Sequence, residues 1–208
     1  MNKIQIAGIG PGTEEYLLPI TKQIVEESDV LIGGQRALEL FSELEREKIE
    51  ITSNLKAIKD YIKDNYQKEQ IVVLVSGDPG LYSMLNYLKK YFAADKLEVT
   101  PGVSAMQLGF AKAKLVWQDA KIISLHGNDN KEKLLNLVQS ESKVALFTDG
   151  QLPPQAIASY LVESGVVNKL GVVAENLSYP TERIVRGDLE ELSTKQFGSL
   201  TVMVIYDE

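Results

Sequence analysis

Apolar positions in the first half of the chain change their spacing in a regular rhythm. Lys3–Gly8 alternates like a strand and then turns at Gly8-Ile9-Gly10-Pro11-Gly12. Pro19 suits the first turn of a helix whose apolar face is Ile20, Ile24 and Val25. Asp29-Val30-Leu31-Ile32 predicts a second strand, closed by Gly33-Gly34. A helix follows over about Asn54–Tyr66, with Leu55, Ile58, Tyr61 and Ile62 on one side. Ile71–Val75 shows no alternation and is rich in β-branched residues, as a strand buried on both faces should be. Beyond it the spacing predicts a helix over Leu81–Phe92, a short strand at Leu97–Thr100 and a helix from Ser104 to about Ala113. Strand–helix alternation of this kind argues for a parallel sheet with helices on both faces.

The second half restarts the rhythm. Strands are expected at Lys121–Leu125, Val144–Phe147 and Val172–Ala174, with helices at Lys131–Val138 and Pro154–Val162. After that the helices are expected to cease, leaving strands at Arg183–Val185 and Leu200–Ile205 separated by turns at Gly187-Asp188 and Gly198. The fold class is therefore α/β. Two small α/β domains are expected, 1–115 and 119–208, with a mainly parallel first sheet, a mixed second sheet and a ligand cleft between them.

Composition narrows the chemistry. With 44% apolar and 25% charged residues among 208, the chain can fill a real core, and disordered or repetitive architectures are excluded. The absence of cysteine excludes disulfides, thiolate metal sites and cysteine nucleophiles, and a single histidine, His126, excludes a multi-histidine metal centre. No metal site is expected. A net charge of −7 without a basic stripe speaks against nucleic acid as a partner. The longest wholly apolar run, Ile71–Val75, is far short of the roughly 18 residues that span a bilayer, so no membrane partner is expected and the default location is the cytoplasm.

Three glycine-rich turns follow predicted strands: Gly8-Ile9-Gly10-Pro11-Gly12, Ser76-Gly77-Asp78-Pro79-Gly80-Leu81 and Thr100-Pro101-Gly102-Val103-Ser104-Ala105. In parallel sheets ligands collect outside the carboxyl ends of strands, and glycine lets backbone approach them closely. The first turn is not the dinucleotide fingerprint, because Thr13 stands where a third glycine or alanine belongs and Pro11 interrupts it. A phosphate-binding lysine pattern is absent too. Asp78 is read either as a contact for ribose hydroxyls or an amino group, or as a helix N-cap; Ser104 is likewise explained by an N-cap. Such turns on one sheet edge favour a neutral or zwitterionic ligand over a polyphosphate.

In that order and spacing the three turns resemble the tetrapyrrole methylase family over nearly the whole chain. Within it, the sequence is similar to the group that methylates carbon 5 of cobalt-precorrin-7 in cobalamin biosynthesis. The supporting segments are Leu31-Ile32-Gly33-Gly34-Gln35-Arg36, Ser124-Leu125-His126-Gly127, Phe147-Thr148-Asp149-Gly150 and Glu175-Asn176-Leu177-Ser178-Tyr179-Pro180 with Glu182-Arg183. His126-Gly127 is followed by Asn128, where related chains often carry arginine. The chain ends where a stand-alone carbon-5 enzyme is expected to end, so a separate decarboxylating carbon-15 methyltransferase is the expected functional partner. The resemblance implies S-adenosylmethionine as cofactor, a tetrapyrrole as substrate and a homodimer. Carried over by position, it implies cofactor contacts from Gly10, Pro11, Gly77, Asp78, Leu81, Ser104 and Ala105, and from Thr148, Asp149, Asn176 and Thr201.

A substrate rich in carboxylates needs local cations on an acidic protein, so Arg36, Arg183 and Arg186, three of four arginines, are candidate substrate contacts; the bland reading of Arg183 and Arg186 is strand decoration. His126 is a candidate for removing a proton from the methylated carbon, or simply a residue at a strand end. Tyr82, Tyr87 and Tyr91 read as faces of one helix. Two other readings stay open: a family relative with a different acceptor, such as another ring carbon or a diphthamide precursor, and a nucleotide-binding module without catalysis.

Overall fold

The computed structural model describes residues 2–125, 131–148 and 150–208. By contacts the chain divides into two compact units, Met1–Ser104 and Ala105–Glu208. The first contains β1 (Ile4–Gly8), α1 (Pro19–Glu26), β2 (Val30–Gly33), α2 (Gln35–Glu39), β3 (Glu47–Glu50), α3 (Leu55–Asn65), β4 (Ile71–Val75), α4 (Met84–Leu88) and β5 (Leu97–Thr100). Its sheet runs β3-β2-β4-β1-β5 with every pairing parallel. Side-chain alternation along the strands assigns the two flanking layers. Ile4, Ile6, Val30, Ile32, Ile71 and Val73 pack with Ile58 and Ile62 of α3 and Leu88 of α4. Ala7, Leu31, Val72 and Leu74 pack with Val25 of α1, Ala37 of α2 and Phe41. Because helices cover both faces, β4 has no position for a polar residue, and all five of its residues are buried.

The second unit contains α5 (Ala105–Ala113), β6 (Lys121–Ser124), α6 (Lys131–Ser140), β7 (Lys143–Phe147), α7 (Pro154–Glu163), β8 (Lys169–Glu175), β9 (Arg183–Asp188), α8 (Leu189–Ser193) and β10 (Thr201–Asp207). Its sheet order is β6-β7-β10-β8-β9; β6–β7 is parallel and the other three pairings are antiparallel. One face, with Val144, Leu146, Val173, Met203 and Ile205, packs against Leu134 and Val138 of α6, Ile157 and Leu161 of α7 and Leu192 of α8. The other face meets α5 through Gly109, where a Cβ would come within 2.8 Å of Val202 Cγ2. That packing counts α5 with the second unit, whereas the limits 1–115 and 119–208 place it with the first.

Sheet types and most elements agree with the sequence pattern, and the differences have local causes. α2 and β3 were not anticipated; β3 is an edge strand of Glu47-Lys48-Ile49-Glu50, whose charges suit an unpaired edge and hide the strand pattern. Gly187-Asp188 is not a turn. Both residues complete β9, and the Asp188 carboxylate accepts from Glu191 N at 2.7 Å to cap α8, a helix where none was expected. The helix expected over Leu81–Phe92 shrinks to Met84–Leu88, because the preceding turn runs on through Tyr82, whose φ is 48°. Ser83 caps α4 instead, its hydroxyl accepting from Leu85 N at 3.1 Å. Tyr82 and Tyr91 therefore lie outside the helix and only Tyr87 is on it, although the rings of Tyr87 and Tyr91 pack together at 5.0 Å. Among the described residues no helix is long and apolar enough to cross a membrane.

Candidate functional site

Because β1 lies between β4 and β5 and all three run the same way, their carboxyl ends are neighbours. Each of those ends carries one of the glycine turns. Gly77 N donates to Gly10 O at 2.8 Å, forming an isolated bridge between the first two turns. A Cβ on Gly8 would lie 2.6 Å from both Gly102 N and Gly77 O, and a Cβ on Gly102 would lie 2.3 Å from Gly77 O. Gly10 and Gly77 also adopt positive φ, 80° and 70°, which glycine takes without strain. The glycines are thus demanded first by each other: three backbone segments close against one another with no room for side chains.

Asp78 ties this arrangement together. Its Oδ1 accepts from Gly80 N at 2.7 Å and its Oδ2 from Gly102 N at 3.1 Å, linking the turn after β4 to the turn after β5. The N-cap reading of Asp78 is corrected, since Ser83 caps α4. A carboxylate has about four acceptor sites, so two remain after these bonds. Pro11 and Leu81 flank the turns half-buried, Ser104 is buried beyond Gly102, and Ala105 opens α5.

In the second unit Thr148 directly follows β7 and Thr201 opens β10. The Thr148 hydroxyl donates to Thr201 O at 3.1 Å and is hydrogen-bonded to the Thr201 hydroxyl, both side chains being buried. Asn176 follows β8 with φ 49°, a conformation asparagine tolerates, and its N–H donates to Leu200 O at 2.9 Å. Asp149 and His126 lie outside the described residues.

The three candidate arginines differ in their surroundings. Arg36 stands exposed on α2, and among the described residues nothing hydrogen-bonds or ion-pairs with it. Arg183 is engaged within the second unit: Nε donates to Glu175 Oε2 at 2.8 Å, Nη2 lies 2.7 Å from the same oxygen in an ion pair and donates to Gln196 O at 2.6 Å, and the guanidinium lies 5.2 Å over the Phe197 ring. Arg186 Nη2 donates to Ala113 O.

Two carboxylates that belong to the segments supporting the resemblance, Glu175 and Glu182, have structural partners that the sequence does not reveal. Glu175 is buried at the end of the otherwise apolar stretch Gly171–Ala174, and a charge closing such a run was the available signal. Glu182 accepts from Ser178 N at 3.0 Å and pairs with Lys112 of α5 at 2.7 Å. Burial pushes the Glu182 carboxyl up, but Lys112 and the Ser178 N–H together outweigh it and hold the group below the ordinary value. A carboxyl lowered by folding stabilises the fold above its unfolded pKa, and that contribution disappears as pH falls through the folded value. Glu182→Gln is therefore expected to flatten the acid-induced loss of thermal stability below about pH 4.5, followed by circular dichroism. An acid slope identical to that of the parent protein would contradict this.

Residues 3–193 match the family described as Tetrapyrrole (Corrin/Porphyrin) Methylases. The probable cobalt-precorrin-7 C(5)-methyltransferase of Methanocaldococcus jannaschii is 39% identical over 206 residues, 97% of this chain and 96% of that protein. Among solved structures, the cobalamin biosynthesis precorrin-6Y methylase of Archaeoglobus fulgidus superposes with a TM-score of 0.76 at 21% identity, covering 99% of this chain and 98% of that one. The uroporphyrin-III C-methyl transferase of Thermus thermophilus, solved with S-adenyl homocysteine, gives 0.76 at 18% identity over 98% and 97% of the two chains. The joined glycine turns, the paired all-parallel and mixed sheets and this match across nearly the whole chain make it a member of the tetrapyrrole methylases.

Proposed function

We propose that the protein methylates carbon 5 of cobalt-precorrin-7, with S-adenosylmethionine as the methyl donor. The observation that carries this reading is the junction of the turns after β1, β4 and β5, where backbone groups and one carboxylate meet without a lysine. That donor set fits a zwitterionic nucleoside better than a polyphosphate. The 39% identity to a protein named for carbon-5 methylation of cobalt-precorrin-7 supports the acceptor.

When bound, S-adenosylmethionine supplies a methyl group activated on a sulfonium. Gly10, Pro11 and Gly77 offer backbone at close range, and Asp78 has acceptor capacity left for a hydroxyl or ammonium. Leu81 and Ser104 border the same turns, and the resemblance proposes Ala105, Thr148, Asn176 and Thr201 as further cofactor contacts. The chain's task is alignment and exclusion of water, and alignment alone contributes about 7–11 kcal/mol to such a displacement. A strong base is not required, because the reduced tetrapyrrole carbon is itself electron-rich.

Arg36 is exposed on α2 without a side-chain partner among the described residues, which supports it as the arginine that takes a substrate carboxylate. The reading is tested with methyl-labelled S-adenosylmethionine and cobalt-precorrin-7. Label transfer is expected, with Arg36→Ala raising the KM for the tetrapyrrole about tenfold, the effect of about 1.4 kcal/mol, while cofactor affinity stays unchanged. An unchanged tetrapyrrole KM would remove Arg36 from the substrate site.

A further inference from the structure

Strand register in the second unit places polar side chains in one row across four strands. Glu175 of β8 lies directly opposite Thr201 of β10 on one side and Arg183 of β9 on the other. Phe147 of β7 is paired with Val202, so Thr148 comes next to Thr201. Directly opposed residues share a sheet face, and the row Thr148–Thr201–Glu175–Arg183 shares its face with Val173, Val185 and Met203 of the core.

The row is bonded at both ends and anchored to the loop before β10. Thr148 is bonded to the Thr201 hydroxyl and carbonyl. Arg183 grips Glu175 Oε2 with two nitrogens, while Gly198 N donates to Glu175 Oε1. Arg183 also reaches Gln196 O and covers the Phe197 ring. Gln196, Phe197 and Gly198 are thereby held against β8 immediately before Leu200, whose carbonyl accepts from Asn176, and Thr201. A Cβ on Gly198 would stand 3.0 Å from Glu175 Oε1, so the loop packs directly on the carboxylate.

We infer that Glu175 and Arg183 are positioning residues, which set Leu200 and Thr201, and through them Asn176 and Thr148, in place to meet the cofactor. The inference rests on the cofactor reading above and assigns Arg183 an internal task in place of a substrate contact. Arg183 commits the Nε/Nη2 edge of its guanidinium to protein acceptors, which fixes that edge against Glu175 and the loop before β10.

Calorimetric titration of S-adenosylhomocysteine into the full chain tests this, with melting curves recorded so that only folded protein is counted. Glu175→Gln, Arg183→Ala and Thr201→Val are each expected to weaken binding about five- to tenfold. The double variant Glu175→Gln/Thr201→Val should be little weaker than the poorer single variant, because the two residues act through one row. Arg183→Lys, which keeps the charge beside Glu175, should recover part of the loss. Wild-type affinity in folded Arg183→Ala overturns the inference, most directly if tetrapyrrole binding falls instead. Additive losses in the double variant also overturn it, since they show independent sites. Failure of the unsubstituted protein to bind S-adenosylhomocysteine would overturn the cofactor reading itself, and the inference with it.

Discussion

Gly102→Ala is expected to destabilise the first unit by about 3 kcal/mol and to remove measurable S-adenosylhomocysteine binding. The new methyl would lie 2.3 Å from Gly77 O, 2.7 Å from Gly8 C and 2.9 Å from Gly8 Cα, all backbone atoms of neighbouring strand ends. No rotamer relieves a clash with backbone, so the turns after β1, β4 and β5 must part. The same movement would weaken the bond from Gly102 N to Asp78 Oδ2. Gly34→Ala is the matched control. A Cβ there meets nothing within 4 Å and its φ of −67° is open to any residue, so only its N-cap position on α2 matters and the loss should stay below about 1 kcal/mol. Denaturant unfolding of both variants decides the point. A Gly102→Ala midpoint equal to that of the parent would show that the three turns do not constrain one another.

Asp78→Ala is the second large effect. It removes the acceptor for Gly80 N and the acceptor for Gly102 N, the latter joining turns that are 24 residues apart. Hydrogen bonds to a charged acceptor contribute about 1.5–3 kcal/mol, so a loss of about 2 kcal/mol in stability is expected. Cofactor affinity should fall by more than tenfold, because the turn is released and the remaining acceptor sites vanish together. Asp78→Asn separates the two causes: its single amide oxygen can hold one turn N–H but not both, so an intermediate stability is expected. Binding that survives Asp78→Ala intact would show that neither the carboxylate nor the link between turns matters to the ligand.

What could be read from the sequence was whatever depends on near neighbours. β4 was legible because five consecutive apolar residues meet helices on both faces, and α3 because Ile58 and Ile62 recur at helical spacing. The position of the three turns was legible from glycine at strand ends. Their mutual contact was not, since Gly8, Gly77 and Gly102 are distant in sequence and only the order β4-β1-β5 brings them together. Asp78 shows the same limit: its residue type fits a cap or a ligand contact, and only the fold reveals Gly102 as its partner. The arginines extend the lesson. Arg36 and Arg183 look alike as candidate cations and both are exposed, yet only Arg183 is bonded to Glu175 and Gln196. Strand register, which aligns Glu175 with Thr201 and Arg183, lies beyond any local pattern.

Carbon-13 nuclear magnetic resonance after incubation with cobalt-precorrin-7 and S-adenosylmethionine labelled in its methyl group tests the central claim most directly. One new labelled methyl is expected, bonded to carbon 5, with one S-adenosylhomocysteine formed for each methyl transferred. Label on another ring carbon would contradict the assigned acceptor position, and no transfer to the tetrapyrrole would contradict the methyltransferase reading.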